Sequence, residues 1–290
     1  MIREESQLKG ISELNVTIIG LGLIGGSMAL AIRQLEPRSL WVVDQNSKVR
    51  EMASAAAVAD EVFADPTLPL GKSDLVILCL YPQAVADFLE KYRECFRTGA
   101  LITDVSGIKT SLLAQINHFL RPDLDFVGGH PMAGKESWGF ANASASIFAG
   151  ANYILTPTVR NKTQNIRFLA QLFLDIGFAK VTSATPEYHD EMIALTSQLP
   201  HVISISLANC IASDDISDFV GGSFKDYTRV AAINTELWAE LFLTNKENLL
   251  NQIERFQKNI EQLKKALTDH DQQSLQEIMA QGARKREVLF

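Results

Sequence analysis

NVTIIGLGLIGGS, residues 15–27, is the stretch on which the fold turns. Its first half is a short run rich in β-branched apolar residues, the composition of a buried strand. Its second half is G-x-G-x-x-G, with Gly20, Gly22 and Gly25, running into a helical pattern. In that setting the first glycine permits a tight turn, the second lets the backbone approach a diphosphate, and the third lets helix and strand pack closely. A diphosphate placed there meets the free N–H groups and the positive end of the helix dipole, so Leu23 and Ile24 join the three glycines as expected cofactor contacts. The glycines alone are a weak signal. They are answered by Asp44 at the end of the next apolar run, WVVD, 19 residues past Gly25. A carboxylate at that distance bonds ribose hydroxyls and repels a 2′-phosphate, which favours NAD over NADP. Arg50 reads as a surface residue on the following helix.

Outward from this loop, strand-like runs recur at 39–44, 74–80, 100–105, 125–129, 151–157 and 179–184. Helical patterns separate them near 24–35, 47–57, 82–96, 109–120 and 162–176. This alternation predicts an α/β fold, a doubly wound parallel sheet of the Rossmann type. From Thr185 the pattern changes to helix alone. Thr185 and Pro186 form an N-cap and first-turn pair, and 237–267 reads as one long amphipathic helix. The expected division is residues 1–184, with 1–14 a frayed leader, and an all-helical part from 185 to 290. The apolar stripe of the long helix fits a homodimer, and equally packing within the chain.

Composition removes several classes. The net charge is −7, with 17 basic and 18 acidic residues up to 184 and 10 basic and 16 acidic after it. Neither part has the basic excess that nucleic-acid binding needs. No apolar run reaches the roughly 18–20 residues of a membrane span, and the first residues lack the apolar core of a signal peptide. A cytoplasmic protein is expected. Cys79, Cys95 and Cys210 are widely spaced, without a CxxC pair, and predict neither a disulfide framework nor a metal site.

The chemistry is expected in the histidines and their neighbours. GGHPMAGKESWG, residues 128–139, reads as a loop that holds His130 at the C-terminal edge of the sheet, where open α/β sheets bind ligands. A neutral imidazole there is a natural base for an alcohol proton near pH 7, and the glycines read as clearance for a substrate. In DVSGIKT, 104–110, Ser106 offers a hydroxyl beside the start of a helix, with Asp104 as an alternative helix cap. His189 and His201 lie on the first helix after Thr185. His189 is read either as a site residue or as a boundary residue held by Asp190. Pro200 interrupts that helix and frees a carbonyl, with Ser197 and His201 on one face. Lys225 and Arg229, four apart in GGSFKDYTRVA, form a cationic pair suited to a carboxylate. His118 and His270 read as solvated.

GLGLIGGS, DVSGIKT, GGHPMAG, the His-Asp pair at 189–190, SQLPH and GGSFKDYTR, in this order, resemble the prephenate/arogenate dehydrogenase family of tyrosine biosynthesis. The likeness runs from about residue 15 to 290. It implies a Rossmann domain, a helical dimerisation domain and a cleft between them. It also implies oxidative decarboxylation of a cyclohexadienol, with NAD taking the hydride. On this resemblance His130 is the catalytic base, Arg229 holds the substrate carboxylate, His201 lies near the substrate side chain with Gln198 beside it, and Lys225 follows the same motif as Arg229. Ser106-Gly107-Ile108-Lys109 stands where the family often has Gly-Ser-Val-Lys, so the serine is displaced by one position. With neither a mutase domain before the glycine loop nor a regulatory domain after the helices, any tyrosine feedback is expected in the cleft or at the dimer interface. An imidazole donor at the side chain favours prephenate over arogenate. Two other readings compete: another two-domain hydroxy- or imino-acid dehydrogenase, which usually places a lysine on a helix that here has none from 185 to 211, and a non-catalytic NAD-sensing protein.

Overall fold

The computed structural model describes residues 10–135 and 137–289. In the first part the strands are β1 (Asn15–Ile19), β2 (Ser39–Val43), β3 (Glu61–Phe63), β4 (Leu75–Leu78), β5 (Leu101–Asp104), β6 (Asp125–Pro131), β7 (Asn152–Thr156) and β8 (Lys180–Ser183). The helices among them are α1 (Leu23–Arg33), α2 (Ser47–Ala55), α3 (Thr67–Leu70), α4 (Pro82–Tyr92), α5 (Thr110–Phe119) and α6 (Thr163–Asp175). The strands form one sheet in the order β3-β2-β1-β4-β5-β6-β7-β8. Chain order reverses at β1, where β2 and β4 lie on either side and the glycine loop emerges.

Strands buried on both faces need apolar residues at successive positions. β4, LVIL, is fully buried along its length. One face of the sheet packs against Met28 and Ile32 of α1 and Leu169 and Phe173 of α6. The other packs against Val85 and Leu89 of α4 and Leu112 and Ile116 of α5. This is the doubly wound arrangement expected from the alternation.

Two details differ from the sequence reading. β3, only three residues long, adds a strand at the edge. The sheet is also not parallel throughout, because β6 and β7 pair antiparallel while the other neighbours pair parallel. A parallel return needs a crossover, usually a helix. The chain between β6 and β7 holds only 3-10 turns, at Phe140–Asn142 and Ala145–Phe148, and comes straight back.

After β8 the chain is helical: α7 (Pro186–Ile193), α8 (Leu199–Ala208), α9 (Gly222–Thr228), α10 (Thr235–Thr244), α11 (Lys246–Thr268) and α12 (Gln272–Leu289). Thr185 caps α7 by accepting from the Tyr188 N–H. The interruption before Pro200 is a π-turn, Ala194–Gln198, between α7 and α8. The long helix expected over 237–267 is two helices, with Asn245 between them at φ −108° and ψ 26°. Asn245 is buried, and its amide donates to the Asp190 carbonyl and to Gln198 Oε1. That buried anchor, and not any weakness of helix propensity, accompanies the break. Much apolar surface of the helical part faces outward, including Phe219, Leu243, Leu267 and Met279. No helix among the described residues is long and apolar enough to cross a membrane.

Candidate active site

The glycine loop has the geometry its spacing predicts. Gly20 sits at φ +89°, a region that strains other residues. A Cβ at Gly25 would lie 1.8 Å from the Gly20 carbonyl oxygen, so helix and loop touch backbone to backbone. Gly22 is different: it is the N-cap of α1, no side chain caps the helix there, and nothing lies within 4 Å of where its Cβ would be. Open space above uncapped N–H groups is what a diphosphate requires.

Asp44, just past β2, accepts from the Leu21 N–H at 2.8 Å and from the Asn46 N–H at 2.8 Å. Its carboxylate is thereby fixed against the glycine loop. A cavity of about 390 Å³ adjoins it, lined by Gly20, Val43, Asp44, Leu80 and Phe88 among others. These residues fit an adenosine and a diphosphate. Arg50 lies half-buried on α2, and its guanidinium donates to the carbonyls of Asp44 at 2.9 Å and Gln45 at 2.7 Å, closing the end of β2.

The second half of the site lies on β5 and β6. His130 belongs to β6, opposite Ile154 of β7, and not to a loop. The glycines before it do not leave substrate space. A Cβ at Gly128 would lie 2.4 Å from Thr156 Oγ1, and one at Gly129 would lie 2.2 Å from the Tyr153 hydroxyl and 2.8 Å from the Asp104 carbonyl. They let three strands pack at a distance no side chain would allow. The reading of a loop failed because the partners that require these glycines are distant in sequence.

Between β5 and α5 lies a buried polar cluster. Lys109, fully buried, places Nζ 2.5 Å from Asp104 Oδ2 and 3.1 Å from Ser106 Oγ. Burial pushes the Lys109 pKa down, against the opposing pull of Asp104. Asp104 also accepts from the Gly129 N–H and from the Ser106 hydroxyl. Ser106 therefore turns inward to this cluster. Asp104 does not cap α5; Asp190 does, from the other domain, accepting from the N–H groups of Lys109 at 2.9 Å and Thr110 at 2.8 Å. The helix starts at Thr110.

His189 faces His130. His189 Nε2 lies 2.9 Å from His130 Nδ1, the rings meeting edge to face at 66°, and His189 Nδ1 lies 2.7 Å from Asp190 Oδ1. Burial, then the neighbouring His189 and Lys109, hold the His130 pKa well below the usual 6.5. Burial resists ionisation of Asp190, but His189 and Thr110 outweigh it and keep its pKa below the ordinary carboxylate value. The opposite edge of His130 faces Gly107: a Cβ added there would sit 3.7 Å from Nε2 and 3.3 Å from Leu241 of α10. A neutral imidazole keeps one nitrogen lone pair and, at the C-terminal edge of the sheet, can accept a proton.

His201 opens α8. Its Nδ1–H donates to the Ser197 carbonyl at 2.8 Å. Its ring stacks on Trp238 of α10 at 3.6 Å between centroids. Trp238 has no signal in the sequence beyond its place in an amphipathic helix. Burial lowers the His201 pKa, partly opposed by the Ser197 carbonyl. Gln198 does not face the ligand side: it is buried, donating to the Leu241 carbonyl and accepting from Asn245. Lys225 and Arg229 are both exposed, Lys225 in α9 and Arg229 opening the 3-10 turn that follows it. Both elements pack on α8. His118 and His270 are exposed. Among the described residues no His, Cys, Asp and Glu side chains converge as a metal site would require.

The glycine loop, the uncapped helix start and the neutral imidazole at the sheet edge define a dinucleotide-binding dehydrogenase. Residues 28–182 match the family description "Prephenate dehydrogenase, nucleotide-binding domain", and residues 185–281 match "Prephenate dehydrogenase, dimerization domain". The chain belongs to the prephenate/arogenate dehydrogenase family of aromatic amino acid biosynthesis. The first match begins after the glycine loop, so the loop's reading rests on its own geometry and on whole-chain likenesses. A cyclohexadienyl dehydrogenase of Zymomonas mobilis is 31% identical, over 95% of this chain and 96% of its own. A prephenate dehydrogenase of Bacillus subtilis is 29% identical, over 90% of this chain and 72% of its own. The crystal structure of the Aquifex aeolicus prephenate dehydrogenase with hydroxyphenyl propionate and NAD+ superposes with a TM-score of 0.88 at 28% identity, covering 97% of this chain and all of the other. The Synechocystis arogenate dehydrogenase gives 0.80 at 27%, covering 95% and 99%.

Proposed function

We propose that the chain is an NAD-dependent prephenate dehydrogenase that oxidatively decarboxylates prephenate to 4-hydroxyphenylpyruvate. The observation that carries this reading is His130, a desolvated imidazole with Nδ1 against His189 and Nε2 turned toward Gly107. Bound NAD supplies the hydride acceptor. His130 Nε2 takes the ring hydroxyl proton as the carbonyl forms. The ring carboxylate leaves as carbon dioxide, and aromatisation of the ring makes that loss favourable. Gly20, Gly22, Leu23, Ile24, Gly25 and Asp44 hold the dinucleotide, and the negative charge of Asp44 disfavours a 2′-phosphate. Ser106 acts as a positioning residue through Asp104 and Lys109. Lys225 and Arg229 hold carboxylate, with His201 and Ser197 beside them. His189 stands behind His130 and does not touch substrate. We divide the chain after residue 184, and assign the outward apolar helix faces to a homodimer.

Two cations suit prephenate, a dianion, better than arogenate, whose ammonium reduces its net charge. One observation favours arogenate instead. The only N–H of neutral His201 is spent on the Ser197 carbonyl, so its Nε2 offers a lone pair suited to an ammonium. The sequence argument that His201 is a donor to a keto group is thereby weakened. Initial rates of NADH formation with each substrate separate the two. We expect the higher kcat/KM with prephenate. A higher value with arogenate selects the second reading, and turnover of neither removes both.

A further inference from the structure

The two ring nitrogens of His130 are used differently, and the difference extends two residues deeper. The Asp190 carboxylate only accepts, so His189 Nδ1, 2.7 Å away, carries a hydrogen. In neutral His189, Nε2 is then a lone pair. It lies 2.9 Å from His130 Nδ1, which must therefore be the N–H. The opposite tautomer of His130 would set two lone pairs against each other. One arrangement satisfies all three residues, and it leaves the lone pair of His130 on Nε2, the edge that faces Gly107.

We propose that His189 and Asp190 form a proton relay behind His130, so that the proton taken from the substrate hydroxyl comes to rest as a cation on His189. This rests on the reading of His130 as the base. The substrate O–H bond breaks and an N–H bond forms at His130 Nε2. The Nδ1–H bond of His130 then breaks and an N–H bond forms at His189 Nε2. His130 ends neutral, and the positive charge sits on an imidazole bonded to a carboxylate.

The surroundings favour that movement. His130 faces the Lys109 ammonium from the segment before α5, and its charge works against an imidazolium at 130. Asp104 of β5 is bonded to Lys109 and Ser106. Burial raises the pKa of Tyr153 of β7 far above the usual value and keeps it neutral. From α10, Leu241 lies beside Gly107. Asn245, just before α11, donates to the Asp190 carbonyl and leaves the carboxylate facing His189 and the start of α5. The anion nearest a proton on His189 is Asp190.

The decisive variant is His189→Gln. Its amide oxygen can accept the His130 Nδ1–H and hold the tautomer, but it cannot bind a proton. We expect kcat to fall about a hundredfold with KM for substrate and NAD binding little changed, within the range for loss of one acid–base group. We also expect the acid limb of the kcat profile to move to lower pH, because the remaining base is His130 with its depressed pKa. Wild-type kcat with an unmoved acid limb would overturn the relay and leave His189 as an orienting residue. His130→Gln, run alongside with NAD binding by fluorescence titration, tests the base itself: retained activity there removes the underlying reading. If His189→Gln fails to fold, ¹⁵N imidazole shifts of the wild-type protein decide. Protonated Nδ1 and bare Nε2 at His130 support the relay, and the reverse tautomer excludes it.

Discussion

The two walls of the cleft are built on opposite principles. On the sheet side, Asp104, Ser106 and Lys109, with His189 and Asp190 of α7 packed against them, are buried, and each polar atom meets another. On the helical side, Lys225 and Arg229 are exposed, and His201 is held by one carbonyl and one ring. A buried network fixes geometry, because a partner removed leaves a charge that nothing replaces. Exposed cations on short elements can be exchanged at little cost to the fold. In this molecule the proposed chemistry sits in the first kind of wall and the proposed substrate recognition in the second.

The largest effect should come from breaking the buried wall. Lys109→Met leaves the Asp104 carboxylate buried without its cation, and urea denaturation should show a loss of about 3–5 kcal/mol. The double variant Lys109→Met/Asp104→Asn removes both charges and should recover more than half of that. A single variant as stable as the wild type would mean that the pair does not organise the wall.

The same substitution logic on the helical side should read out in binding instead. Arg229→Ala should lower kcat/KM for prephenate roughly 10–100-fold, the range for losing hydrogen bonds to a charged group at about 1.5–3 kcal/mol. The loss should fall mainly on KM, with stability changed by no more than about 0.5 kcal/mol. Equal loss of stability and activity would erase the contrast between the walls.

Protons sharpen the comparison further. His130 and His201 both have folded pKa values below the unfolded 6.5, so folding holds them neutral. The unfolded state binds more protons in that window. The stability they contribute is full above pH 6.5 and is lost as the pH falls from there toward their folded values. Asp190, with its folded pKa below 3.8, contributes stability that is lost only on further acidification. Denaturation midpoints between pH 8 and 5 should fall in the wild type and fall less in His130→Gln. An identical slope would show that His130 does not remain neutral on folding.

How much of this could be read from sequence follows the same division. The glycine loop, Asp44 and the strand and helix alternation were legible because each depends on neighbours within a few residues. Thr185 and Pro186 were legible for the same reason. The course of β6 through His130 was not, since the residues that require Gly128 and Gly129 are Thr156 and Tyr153 on an antiparallel neighbour. Nothing local marks Lys109 as buried, or Asp190 as the cap of a helix eighty residues earlier. The break at Asn245 depends on Asp190 and Gln198 in the same way. Local rules found the pieces, and long-range polar pairing decided what they do.

The smallest effect is expected at an aromatic contact within the helical wall. Trp238 stacks on His201 with rings 29° apart, and no hydrogen bond accompanies the stack. Trp238→Leu keeps an apolar body in α10 but removes the aromatic face, which is worth about 0.5–1.5 kcal/mol beyond area. Thermal melts should show a modest drop of that size. The His201 ring, still bonded to the Ser197 carbonyl through Nδ1, should keep its tautomer but gain rotational freedom. Recognition should then blur rather than vanish, with the prephenate-to-arogenate ratio of kcat/KM moving toward unity and kcat with the better substrate within about threefold. A collapse of kcat instead would put Trp238 in the first wall and show that the imidazole it supports takes part in the chemistry.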